Sequence, residues 1–139
     1  FLDQQTKFGS QLDTIGDVLT AVIVLLSGIL LWPDKIQDQS VWILAAVVVL
    51  CLSGSVTLLR YKHLPSYHTW SAKLSTAVAG VGVWLFFADV TVWGFRLGII
   101  ILIFSALEEV AITFILPQWQ PNIPHVFHAL KMRKQAKLA

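Results

Sequence analysis

Three features of the 139-residue sequence predict an all-α, polytopic membrane helix bundle. Hydrophobic residues make up 56% of the chain and charged residues 13%, where a soluble domain carries about 25% charged residues. Mean hydropathy is +0.72, and a water-soluble fold of this size leaves too much of its surface exposed to hide that much apolar area. The apolar residues also fall in solid runs about as long as the ~20 residues a helix needs to cross the hydrocarbon core. Backbone groups in lipid must bond within the chain, which leaves helices and closed barrels. Solid rather than alternating runs favour helices.

Four runs are long enough: Leu12 to Trp32, Val41 to Leu59, Trp70 to Phe87 and Val92 to Leu116. Pro33 ends the first, because it lacks a donor and restricts the residue before it. The polar stretch to Ser40 forms the first connection, Arg60 to Thr69 (with Pro65 inside) the second, and Ala88 to Thr91 the third. With four helices, the N-terminus, the middle connection and the C-terminus share one side of the membrane. That side holds Lys7, Arg60, Lys62, Lys73, Lys131, Arg133, Lys134 and Lys137, against Lys35 and Arg96 on the other. The excess of lysine and arginine assigns it to the cytoplasm. Trp32, Trp42 and Trp93 fall near the outer ends and Trp70 and Trp119 near the inner ends, while Trp84 is expected inside the bundle. Residues 1–117 thus form a transmembrane domain and 118–139 a basic cytoplasmic or interfacial tail. In that tail Val126, Phe127, Leu130 and Met132 form the greasy side of an interfacial helix, or the segment is a flexible basic strand drawn to anionic lipid. The single cysteine, Cys51, reads as a small apolar residue.

Ionisable groups at membrane depth are costly and mark functional sites. Asp13 and Asp17, at the head of the first helix, are four apart and so share one face, one turn above the other. Gly9 lies one further turn back on that face. A helix N-terminus attracts acidic residues through its dipole, which accounts for Asp13 but not for Asp17, a turn or more further in. Two carboxylates in line, beside a glycine that allows close approach, are hard oxygen ligands suited to Mg²⁺ or Mn²⁺.

The pattern Gly-x3-Asp-x3-Asp at Gly9, Asp13 and Asp17, with the wording Lys7-Phe8-Gly9-Ser10 before Leu12-Asp13, resembles the second half of the CDP-alcohol phosphatidyltransferase signature. In full that signature reads Asp-x2-Asp-Gly-x2-Ala-Arg-x8-Gly-x3-Asp-x3-Asp. Residues Phe1 to Phe8 fill its x8 spacer. The resemblance implies that these helices are the last four of a six-helix fold. It implies two divalent ions, Mg²⁺ or Mn²⁺, with Asp13 and Asp17 as metal ligands and Asp17 also as the general base. It implies CDP-diacylglycerol as donor, a small alcohol as acceptor, release of CMP, the lipid bilayer as the setting and a homodimer. No nucleic-acid partner is expected. The first two aspartates of the signature are absent from this sequence, so the chain is expected to be truncated at its N-terminus and, alone, to be inactive.

Ala72-Lys73-Leu74-Ser75-Thr76 also resembles a family segment, one that opens the fifth helix and borders the acceptor pocket. Lys73 and Thr76 are three apart and can face one cavity, where Lys73 would hold a phosphate or polar head group as a point charge. Arg60 and Lys62 read as positive-inside residues whose stems snorkel. Glu108 and Glu109 interrupt the last helix. Adjacent helical residues diverge by about 100°, so one of them at most faces a cavity, and Glu108 is expected to pair with a cation such as Lys73. Asp89 reads as solvated. His125 and His128 have the spacing of a metal pair but no third ligand nearby, and His63 and His68 read as loop residues. Gly80 and Gly82, with Ala77 and Ala79, allow close helix packing. The competing readings are a non-catalytic four-helix scaffold or transporter subunit, and an intramembrane prenyltransferase, for which further Asp-rich segments are missing here.

Overall fold

The structure is a computed structural model and describes residues 7–63, 67, 69–120 and 123–136. The spacer residues 1–6, Pro65, His68 and Lys137 lie outside the described residues. The fold is all-helical, with no strand among the described residues. Its elements are α1 (Lys7–Leu31), α2 (Pro33–Asp38), α3 (Ser40–Tyr61), α4 (Trp70–Phe87), α5 (Trp93–Ile115) and α6 (Val126–Ala136). Among the described residues, four helices are long and apolar enough to cross a bilayer, with spans of Gln11–Leu31, Ser40–Tyr61, Trp70–Phe87 and Trp93–Ile115.

The short polar connection after Pro33 is built as the helix α2. Proline at its first helical position is pre-set for helix and gives up a donor that would be unpaired there anyway. α3 ends on Lys62, which is left-handed at φ 58° and returns its N–H to Leu58 O. α4 starts from Thr69, whose hydroxyl accepts from the Ala72 N–H at 3.2 Å. The turn from α4 to α5 is closed by Asp89, left-handed at φ 59°. The Val90 N–H reaches Leu85 O at 3.0 Å and the Asp89 N–H reaches Phe86 O at 3.2 Å, the paired bonds that stop a helix sharply.

α5 is the centre of the bundle, packed against α4 on one side and α3 on another. The α4–α5 contact is made by glycines. A β-carbon on Gly82 would strike the Gly94 backbone, and one on Gly98 would lie 2.6 Å from Ala79 Cα. Side chains sort as they do in lipid. Ser53, Thr57, Ser75, Ser105 and Thr113 are buried, while Leu44, Leu59, Val81 and Phe104 are exposed. Apolar residues gain nothing by leaving lipid for protein, so polar and small residues take the helix contacts. Trp84, expected inside, is 73% exposed and belongs to this outer surface.

α1 stands apart. Among the described residues it packs along α2 and along no other helix. One end is anchored where Gly28 is buried against the Ile36 side chain and the Phe87 ring, and where Trp32 lies 4.7 Å from that ring. The other end is tied by the Gln11 side-chain amide, 2.7 Å from His63 Nδ1.

Candidate metal and substrate site

Gly9, Asp13 and Asp17 sit on the opening turns of α1, all exposed and all on one face of the helix. The Gln11–His63 bond fixes this stretch of α1 to the end of α3. His63 in turn stacks on Trp119, with ring centroids 4.7 Å apart. The segment leading to α6 meets the first residue of α4 where the Trp70 N–H donates to Pro124 O at 3.0 Å. The head of α1, the foot of α3, the head of α4 and the start of α6 therefore share one end of the bundle.

Lys73 and Thr76 occupy the first two turns of α4 at that same end, both exposed. The Lys73 ammonium lies 5.2 Å from the centre of the Trp70 ring, and the Thr76 hydroxyl donates to Ala72 O at 3.1 Å. The structure thus joins Asp13 to Asp17, and Lys73 to Thr76, on two helices that do not pack against each other among the described residues. No group of three or more His, Cys, Asp or Glu side chains suited to a metal occurs among the described residues.

The two glutamates of α5 have partners that the sequence did not suggest. Glu108 accepts from the Ser71 hydroxyl and, at 3.0 Å, from the Val126 N–H at the start of α6. Lys73 is not its partner: Ser71, two residues earlier on α4, is nearer the seam, and Lys73 turns outward over Trp70. Glu109 accepts from the Ser53 hydroxyl of α3 at 2.9 Å. The divergence of adjacent helical residues sends one carboxylate to α4 and α6 and the other to α3.

A polar chain continues from there. The Thr57 and Thr113 hydroxyls are 3.1 Å apart, and the Tyr67 hydroxyl is 2.9 Å from Thr113. The Tyr61 hydroxyl lies 2.7 Å from Thr113 O and 2.6 Å from Leu116 O. With Arg60, 3.4 Å from Leu116 O, it satisfies carbonyls that the end of α5 leaves unpaired. Tyr67 is fully buried, and burial, opposed by its hydrogen bond with Thr113, pushes its phenol up to about 12. Tyr67 carried no signal in the sequence; the glutamate pair did, as charge inside an apolar run.

The far end of the bundle holds a separate set. Asp89, expected to be merely solvated, pairs with Lys35 at 2.7 Å. Arg96 donates to Gln39 at 3.0 Å and lies 5.6 Å from both the Trp42 and Trp93 ring centres. A cleft of about 260 Å³ between Lys35, Asp38, Gln39, Phe86 and Asp89 opens at this end, away from Asp13 and Asp17.

Fold and site together define a multi-pass, all-helical membrane protein with paired carboxylates at one end of its bundle. Residues 1–115 match the model of the CDP-alcohol phosphatidyltransferase family, and the chain belongs to that family. No curated protein and no solved structure matches it. The family consists of transferases of phosphate-containing groups in phospholipid biosynthesis, and it uses divalent metal ions.

Proposed function

We propose that the protein transfers a phosphatidyl group from CDP-diacylglycerol to the hydroxyl of a small alcohol, with release of CMP. The observation that carries this reading is the exposure of Asp13 and Asp17 on one face, one turn apart, at the bundle end that also carries Lys73 and Thr76. Their donor set fits a hard cation. Mg²⁺ is commonly held by one or two carboxylates, with water and substrate phosphates completing its shell. Asp13 and Asp17 would supply the protein oxygens and the donor pyrophosphate others. Divalent ions bound there would offset the charge that builds on the pyrophosphate oxygens as the bond to CMP breaks.

The chain's own residues have separate tasks. Gly9, one turn before Asp13, leaves no side chain between the helix and an approaching nucleotide. Asp17 takes the proton of the acceptor hydroxyl on a carboxylate oxygen. The acceptor oxygen then bonds to the phosphorus that carries diacylglycerol, and CMP leaves with the electrons of the broken P–O bond. Lys73 offers a point charge to a phosphate or polar head group on the acceptor, with the Thr76 hydroxyl beside it. Positive charge also sets the orientation. Arg60, Lys62, Lys73, Lys131, Arg133 and Lys134 are exposed at the site end, which the positive-inside rule assigns to the cytoplasm.

The test is CMP release by the full-length protein, purified in detergent, with Mg²⁺, CDP-diacylglycerol and a panel of alcohols. Asp13→Asn and Asp17→Asn should each abolish release while leaving the helical circular dichroism unchanged. Release retained in both variants would show that Asp13 and Asp17 do not carry the reaction, and no release with any alcohol would leave a non-catalytic membrane bundle in its place.

A further inference from the structure

We infer that α6 is a docking element for the anionic surface of the bilayer, held beside the bundle by Glu108 and turned so that Phe127, Leu130, Lys131 and Lys134 face lipid.

The helix has two working faces. Val126, Ala129 and Met132 point inward, where Ala129 is fully buried in a cluster with Tyr67, Ile112, Leu116, Trp119 and Ile123. The apolar side expected from the sequence, Val126 with Phe127, Leu130 and Met132, is therefore divided. Val126 and Met132 join the protein. Phe127 remains 75% exposed and Leu130 46% exposed. Phe127, Leu130, Lys131 and Lys134 follow the i, i+3, i+4, i+7 spacing of a single helix face, opposite Ala129. Arg133 is exposed but lies four residues after Ala129, on the side of the helix that faces the protein. No acidic residue occurs anywhere in α6.

Depth comes from the tether. Glu108 lies about two turns, roughly 10 Å, back from the C-terminal end of α5. Its carboxylate accepts the Val126 N–H at 3.0 Å while also holding Ser71 in the first turn of α4. α6 thus begins beside the bundle, level with the head of α4, and not out beyond the helix ends. The exposed Trp70 opens α4 at this level, and an exposed tryptophan at a span end marks the membrane–water boundary. A helix at that depth with exposed aromatic and aliphatic side chains and only basic charge matches an interface of anionic lipid.

The experiment uses the whole protein in nanodiscs, with Cys51→Ala as background and a spin label at Leu130→Cys. In discs of equimolar phosphatidylcholine and phosphatidylglycerol, the label should be reached by oxygen and shielded from a water-soluble nickel chelate. In phosphatidylcholine alone it should become accessible to the chelate. Lys131→Gln should lower the lipid-seated population about fivefold in the anionic discs. High salt should release the label without any substitution in the basic residues, which keeps the test valid if charge variants misfold. A label open to the chelate in both lipids would overturn the proposal. Equal shielding in both lipids would overturn its anionic part, and dipolar broadening between labels on two copies would assign the face to a second chain. None of these readings depends on transferase activity.

Discussion

Ser53 and Glu109 are 56 residues apart in sequence and 2.9 Å apart in the fold. Ser53 is 1% exposed, so its hydroxyl has no lipid or water alternative. Side-chain hydrogen bonds between membrane helices are nonetheless modest, because the unfolded helices also find partners in the bilayer. Ser53→Ala should therefore cost about 0.6–1.7 kcal/mol in a reversible unfolding assay in mixed micelles. A neutral result would mean that the bond does not hold α3 to α5. Tyr67 allows a sharper test. Its phenol ionises near 10 when unfolded and at about 12 when folded, so the folded state keeps a proton that the unfolded state gives up. Stability is then complete below pH 10, falls as pH rises, and stops falling above about 12. The full loss is about 2–3 kcal/mol. Tyr67→Phe should remove that alkaline decline, and unfolding midpoints of the two proteins from pH 9 to 12 would show whether it does.

At the level of elements, α4 and α5 meet through glycine because backbone contact is the best packing available when lipid already satisfies leucine. The register is specific. Gly82 has the Gly94 backbone against it, whereas Gly80, two residues away, has nothing within 4 Å. Gly82→Leu should destabilise the bundle by about 1–3 kcal/mol or more through overpacking. Gly80→Ala should be neutral or stabilise by up to about 1 kcal/mol through helix propensity. Equal effects at the two positions in the same unfolding assay would refute this register. α6 depends on a different device. Its first turn is capped by Glu108 at the Val126 N–H and by the His125 ring, whose Nδ1 accepts the His128 N–H at 3.1 Å. That role for His125 is structural and replaces the metal spacing it shares with His128.

Across the whole molecule, exposed positive charge and the candidate site share one end. The end with Asp13, Asp17, Lys73 and Thr76 carries most of the exposed cations, and the other end holds the Lys35–Asp89 pair at 2.7 Å and the Arg96–Gln39 bond at 3.0 Å. This polarity makes orientation testable in sealed cells with Cys51→Ala as background. A cysteine at Gln135 should resist an impermeant thiol reagent until the membrane is opened, and one at Asp34 should react at once. The reverse pattern would place Asp13 and Asp17 outside the cytoplasm. α1 is the other feature of this scale. It is tied at both ends, by Gln11–His63 and by Gly28 against Ile36 and Phe87, while its carboxylate face stays exposed.

The sequence alone determined the four spans, because hydrocarbon thickness sets a minimum apolar length and unpaired backbone cannot cross lipid. It also placed Gly9, Asp13 and Asp17 on one face, because helical periodicity is local, and their spacing carried the family resemblance. Only the tertiary structure decided that Trp84 faces outward, that Asp89 pairs with Lys35, that Glu108 holds Ser71 and α6 rather than Lys73, and that the greasy side of α6 is divided. Each of these depends on which residue of a distant helix comes near. In a membrane the apolar pattern shows which segments span, and small and polar residues mark helix contacts, but neither names the distant residue that each position meets.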